Sequence, residues 1–212
     1  MAEQITIPLF PLNIVLFPGQ VLHLYIFEER YKRMVADCRP RHPGEAYRPF
    51  GICLGPDDSM QQVGCTAQIR EILKEYEDGR MDLVVVGLQR YRLLQTYVDR
   101  PYLQGLVELL QDEEELPDES LVQRAEQGFE RLMDLAESQE KVEPSREEGR
   151  YAFALGQLAG LNAEERQQLL ELPGENQRLA RLVDIFEELF PRLEQKRARQ
   201  QKVRSNGHFK KL

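Results

Sequence analysis

The sequence predicts an α+β protein: a small β-barrel over residues 1–116, an α-helical bundle over residues 117–195 and a basic, frayed tail over residues 196–212. Three observations predict this. Prolines punctuate short apolar runs at the start of the chain. The hydrophobic period then changes from two residues to about 3.6 midway along. An acidic, proline-bearing segment, Gln111-Asp112-Glu113-Glu114-Glu115-Leu116-Pro117-Asp118, separates the two regimes and reads as a self-repelling linker.

In the opening run, Pro8, Pro11 and Pro18 lack a backbone donor, so they belong at strand ends, edges or turns and not inside a central strand. Pro18-Gly19 is the strongest turn signal. Proline presets the first corner and glycine accepts a positive φ at the second, so a type II turn should deliver Val21, Leu22 and Leu24 into the next strand with one face buried. From Glu28 to Cys38, Tyr31, Met34, Val35 and Cys38 fall at helical spacing, opposite Glu29, Arg30, Lys32 and Arg33. Cys65 to Tyr76 reads as a strand, and Asp78-Gly79 as a two-residue hairpin turn into Met81–Leu88. Leu83-Val84-Val85-Val86 is continuously apolar, which predicts cover on both faces. Tyr91–Tyr97 and Leu103–Leu110 complete the strands.

Beyond the linker, Leu121, Val122, Ala125, Phe129, Leu132, Met133 and Ala136 form one helical stripe. Ser145-Arg146-Glu147-Glu148 reads as a capping box opening a helix that ends at Ala159, with Gly160 as its left-handed cap. Asn162 starts a short third helix that stops before Pro173-Gly174. A fourth carries Leu179, Leu182, Val183, Phe186 and Phe190, with Pro191 ending or kinking it. Four such helices predict a bundle.

Residues 111–148 hold 14 Asp and Glu against 4 Lys and Arg, whereas residues 192–212 hold 8 Lys and Arg against Glu194 alone. The net charge of −8 argues against nucleic-acid or membrane adhesion. No apolar run approaches the ~18 residues of a membrane span, and Met-Ala-Glu-Gln is not a signal peptide, so a cytoplasmic protein is expected. Cys38, Cys53 and Cys65 form no CxxC pair, which points to reduced thiols and away from a zinc site or disulfide framework.

Chemistry is sparse. No G-x-x-x-x-G-K-[ST] loop is present to cradle nucleotide phosphates. None of the five serines sits in a glycine-rich nucleophile turn, and His23, His42 and His208 lack ligand spacing. The expectation is no catalytic residues, no metal, no cofactor, and a protein that is not an enzyme.

The blocks Pro8-Leu9-Phe10-Pro11-Leu12, Phe17-Pro18-Gly19 and Phe27-Glu28-Glu29-Arg30-Tyr31 resemble the N-terminal substrate-binding domain family of the ATP-dependent protease Lon. So do Phe50-Gly51-Ile52, Val63-Gly64-Cys65-Thr66-Ala67-Gln68-Ile69 and Val86-Gly87-Leu88-Gln89-Arg90-Tyr91, together with Leu161 to Glu171 and the following Arg178-Leu179. Asn13-Ile14 departs from the charged pair usual in that family. The resemblance implies a PUA-like barrel followed by a helical bundle, and a stand-alone member without ATPase or protease domains. It also implies non-catalytic recognition of unfolded or extended polypeptide, as substrate or protein partner. An RNA-binding PUA-like module, favoured by fold analogy and by the basic tail, and an adaptor docking on a larger protease are the alternatives.

Phe27, Arg30, Tyr31 and Arg90 are the candidate peptide contacts, because aromatics beside arginines are favoured binding anchors. A competing reading has Phe27 and Tyr31, four apart, pinning a helix to its own sheet. It leaves Arg90 on the polar face of an alternating strand.

Overall fold

The computed structural model describes residues 3–206, apart from Pro43, residues 138–142 and residues 147–148. The chain divides into two units. The first comprises residues 1–113 and 162–173, and the second residues 114–161 and 174–212.

The first unit holds β1 (Gln4–Leu12), β2 (Val21–Ile26), α1 (Glu29–Cys38), β3 (Phe50–Leu54), β4 (Val63–Glu75), β5 (Met81–Tyr97), β6 (Gln104–Leu109) and α4 (Ala163–Glu171). The expected barrel is one six-stranded sheet in the order β2-β5-β4-β3-β1-β6, with β5 pairing additionally to β6. Five strands therefore close a ring, and β2 hangs on the outside of β5.

One long strand makes this possible. The two strands expected at Met81–Leu88 and Tyr91–Tyr97 are a single β5, whose first half pairs with β2 and whose second half pairs with β6. The apolar run in its first half is buried at Leu83 and Val85 but only half-buried at Val84 and Val86, so one face is covered fully and the other in part.

Pro8 and Pro11 both lie within β1, which changes partner between them. Gln4–Pro8 pairs with β6 and Leu9–Leu12 pairs with β3. Leu9 N donates to Leu103 O and Leu109 N donates to Glu3 O, so odd-numbered residues aim their main chain at β6. Even-numbered Pro8 aims its nitrogen at the β3 side just short of Gly51, the first paired residue there, and Pro11 aims at the β6 side beyond Gln104, where β6 starts. Each proline sits where no donor is wanted.

Pro18 and Gly19 form the expected turn, closed by Gln20 N to Phe17 O at 3.1 Å with Gly19 at φ 80°. The β4–β5 hairpin differs from expectation. Tyr76 N bonds Arg80 O, which makes the loop Glu77-Asp78-Gly79. A two-residue type I′ turn needs positive φ at both corners, and here Gly79 has it (78°) but Asp78 does not. α1 buries Tyr31, Met34, Val35 and Cys38, as the spacing predicts.

The second unit holds α2 (Glu119–Leu135), α3 (Tyr151–Leu158) and α5 (Glu175–Asn206). The bundle expected over residues 117–195 therefore has three of its four helices, because α4 belongs with the sheet. α4 starts at a capping box, Asn162 with Glu165, and buries Gln167, Leu169 and Leu170. Gln167 Nε2 donates to Val63 O on β4 at 3.0 Å. The Arg166 guanidinium donates to Val15 O and Gln20 Oε1, and lies 4.2 Å over the Phe17 ring. Burial without a carboxylate pulls it down to about 10.

α3 begins at Tyr151, six residues after Ser145, and Glu147 and Glu148 of the expected capping box lie outside the described residues. Its cap comes from elsewhere: Glu175 Oε1 on α5 accepts from Ala152 N at 2.7 Å. Gly160, at φ 67°, ends it as expected. α5 runs through Pro191 to Asn206, so the basic run from Lys196, expected to fray, continues the helix to that point. Arg197 reaches Asp134 on α2 at 2.9 Å.

The acidic segment is pinned at both ends. Asp112 pairs with Arg90 and Glu113 N donates to Pro173 O, in the first unit. In the second, Glu115 and Leu116 accept from Asn176, and Asp118 N donates to it.

Buried phenols give the first unit an alkaline limit. Burial pushes Tyr31 up to about 12, burial and a bond to Asp37 do the same for Tyr102, and burial also raises Tyr91 well above the ordinary phenol value. The fold keeps these groups neutral while tyrosines of the unfolded chain ionise near 10, at roughly the unperturbed value. The unfolded state therefore binds fewer protons in this window, and stability should fall as pH rises from about 10 through 12. Denaturant midpoints at stepped pH, with phenolate absorbance followed in parallel, measure this; a flat stability profile across the window would contradict it.

Candidate polypeptide-binding site

In Val21-Leu22-His23-Leu24-Tyr25-Ile26, Leu24 and Ile26 are buried, whereas Val21, His23 and Tyr25 face outward. The register sets Val21 opposite Val86, His23 opposite Val84 and Tyr25 opposite Asp82, with Asp82 next to Lys74 on β4. Half-buried Val84 and Val86 thus share an outward face with exposed Val21 and Tyr25. The far edge of β2 has no strand partner among the described residues. Its alternate amides and carbonyls there are available to another extended chain.

Phe27 continues this face two residues on. It is 59% exposed and Tyr25 is 44% exposed, and their rings stack at 6.0 Å with an interplanar angle of 29°. The hairpin holds the pair in place. Arg80 Nη1 donates to the Tyr25 hydroxyl at 2.6 Å while Arg80 Nε binds Asp78. Tyr76 meets Tyr25 edge-on at 6.3 Å, donates to Asp82 at 2.8 Å, and carries the Lys74 ammonium 4.4 Å above its ring. The bond to Asp82 raises the Tyr76 phenol, and bonds from the Arg80 amide and side chain lower Asp78. Exposed, stacked aromatic area is the most distinctive surface feature of this face.

The four residues expected from sequence separate here. Phe27 faces solvent. Arg30 is at the surface but engaged with Glu28 at 2.9 Å and Asp57 at 2.6 Å. Tyr31, 4% exposed, packs on Phe10 with ring centroids 4.3 Å apart, so it is a core residue. Arg90, 2% exposed, donates to Asp112 at 2.8 Å and to Leu170 O at 3.1 Å, which corrects its reading as a surface contact. Sequence reasoning missed Tyr25, Tyr76 and Val21. The alternation of Val21, His23, Tyr25 and Phe27 was visible, but which edge of the strand lacked a neighbour was not.

The thiols offer little chemistry. All three cysteines are free and buried, and burial pushes Cys38 and Cys53 up to about 11. Among the described residues no helix is long and apolar enough to cross a membrane.

A closed sheet with an appended edge strand, joined in sequence to a helical unit, defines an α+β fold shared with Lon N-terminal domains. The chain belongs to the ATP-dependent protease La (LON) substrate-binding domain family, whose pattern it matches over residues 6–188. It is similar to the Lon protease of Syntrophomonas wolfei subsp. wolfei, 28% identical over 191 residues, covering 85% of this chain and 23% of that protein. Lon protease 1 of Bacillus subtilis is 24% identical, covering 88% and 26%. The chain thus spans about a quarter of the length of these curated relatives.

Among solved structures, a Lon N-terminal domain protein from Xanthomonas campestris superimposes with a TM-score of 0.66 at 27% identity, covering 85% of this chain and 98% of that one. The N-terminal domain of Lon from Mycobacterium avium complex gives a TM-score of 0.56 at 16% identity, covering 86% and 98%, a likeness of fold alone.

Proposed function

We propose that the chain recognises extended, non-native polypeptide without acting on it chemically, at the free edge of β2. The observation that carries this is the coincidence of an unpaired strand edge with the stacked Tyr25–Phe27 pair, in a family described as substrate-binding. An incoming strand would gain main-chain hydrogen bonds along β2, which tolerate almost any sequence. Its apolar side chains would rest on Val21, Tyr25 and Phe27, giving a loose preference for hydrophobic segments. A cytoplasmic location belongs to the same reading and agrees with the three unpaired thiols.

The test is affinity for a permanently unfolded, carboxymethylated polypeptide against its native counterpart. Unfolded chain should bind more tightly, and Tyr25→Ala with Phe27→Ser should weaken that binding by about tenfold or more. Both residues are exposed, so the melting temperature should stay close to that of the parent. Equal affinity for folded and unfolded forms would remove the proposal.

A further inference from the structure

Another open edge among the described residues lies on β1. Residues 4–8 pair with β6 on one side, but β3 covers the other side only from Leu9 onward. By the same ladder spacing, Thr6 turns its amide and carbonyl toward that uncovered side. This edge forms one wall of a cavity of about 450 Å³. The other walls are the end of α1 with Asp37 and Cys38, the following loop with Arg41, Arg48 and Pro49, and Arg100 and Tyr102 before β6.

The charge of this cavity is one-sided. Three guanidiniums line it against a single carboxylate, Asp37. Asp37 is already shared among Arg33 at 3.2 Å, Arg100 at 3.7 Å and the Tyr102 hydroxyl at 2.8 Å. Nearby Glu45 is turned onto the amides of Arg41 and His42. Arg41 and Arg48 have no side-chain ion pair among the described residues, although the protein as a whole carries a net charge of −8. Unpaired arginines gathered on an acidic protein are suited to carboxylates, which they hold with charge-assisted bonds.

We infer that this cavity binds acidic polypeptide in extended form, its main chain adding to the edge of β1 at Thr6 and its Glu or Asp side chains meeting Arg41, Arg48 and Arg100. The inference rests on the reading of the chain as a polypeptide binder and adds a ligand class at a second place. The β2 face would take apolar segments and the β1 cavity acidic ones.

The test uses a fluorescent peptide alternating valine and glutamate, its valine–glutamine counterpart, and an apolar peptide as probe of β2. The glutamate peptide should bind the full chain at least about tenfold more tightly than the glutamine one, with the difference shrinking as salt is raised. Arg41→Gln with Arg48→Gln should abolish that difference while leaving apolar-peptide binding and the melting temperature unchanged. Thr6→Pro, which removes the outward amide, should weaken the glutamate peptide, and Thr6→Val, which keeps it, should not. Equal binding of the two alternating peptides, or insensitivity to the arginine replacements, overturns the inference even if the apolar peptide still binds. Arginine-dependent binding of an RNA oligonucleotide in place of the acidic peptide overturns it as well. Loss of apolar-peptide binding alone would instead count against the β2 reading.

Discussion

Replacing Arg178 with methionine should destabilise the helical unit by about 3–5 kcal/mol, the range for stranding one partner of a buried ion pair. Glu175 and Arg178 are one turn apart on α5, and their side chains are 3% and 1% exposed. Arg178 Nε reaches Glu175 at 3.2 Å, Nη2 reaches Gly149 O at 3.2 Å, and the guanidinium lies 4.4 Å over the Phe153 ring. Methionine fills much of the volume but leaves the Glu175 carboxylate buried without its cation. Chemical denaturation followed by helical circular dichroism would show the loss as a lower midpoint. Adding Glu175→Leu should recover part of it, because the stranded charge is gone. Recovery should be incomplete by about 1–3 kcal/mol, since Ala152 N then loses its acceptor. An unchanged midpoint in Arg178→Met would show that the pair is not structural.

Gly87→Ala should be the most damaging small substitution in the sheet. A Cβ there would sit 2.2 Å from Phe17 O and 3.0 Å from Phe17 C, and both are main-chain atoms. The segment it strikes cannot easily move. Gly19 N donates to Gly87 O, Gly87 N donates to Gln20 O, and Arg166 holds Val15 and Gln20 from the other side. Overpacking of this kind costs about 1–3 kcal/mol, and a rigid neighbour places the cost at the upper end. A urea titration reading the sheet should show it. If the midpoint held, the Pro18-Gly19 turn would have to be softer than its bonds suggest.

These two sites also show what could be read from the chain before its structure. Gly87, Arg90 and Tyr91 stand in one of the blocks that carry the family resemblance, and all three prove architectural. Gly87 admits the Phe17 main chain, Arg90 ties Leu170 and Asp112, and the Tyr91 ring fills the space where side chains at Gly51 and Gly64 would project. Local pattern was enough for α1, for the Pro18-Gly19 turn and for the start of α4, because spacing and capping are properties of a few neighbouring residues. It failed where the deciding partner is distant in sequence. Arg90 looked like a peptide contact or the polar face of an alternating strand, since nothing near it revealed an acceptor 80 residues away. α3 looked capped by Ser145 because the true acceptor, Glu175, lies on another helix. Phe27 and Tyr31 share a helical spacing, but α1 begins at Glu29, so one belongs to the end of a strand and the other to a core.

The placement of α4 has a consequence for how the protein is made. A ribosome releases the last strand of the sheet, β6, well before it releases α4, and the whole of α2 and α3 emerges in between. For those seconds, at about 5–20 residues added per second, the nascent sheet must wait with the Leu170 acceptor of Arg90 and the Arg166 brace on Val15 and Gln20 not yet synthesised. Birth order and final assembly are therefore out of step: the sheet, made before the helical unit, is finished by a late arrival. A message truncated between β6 and α4 would encode all six strands of the described residues and still lack the piece that secures their first turn.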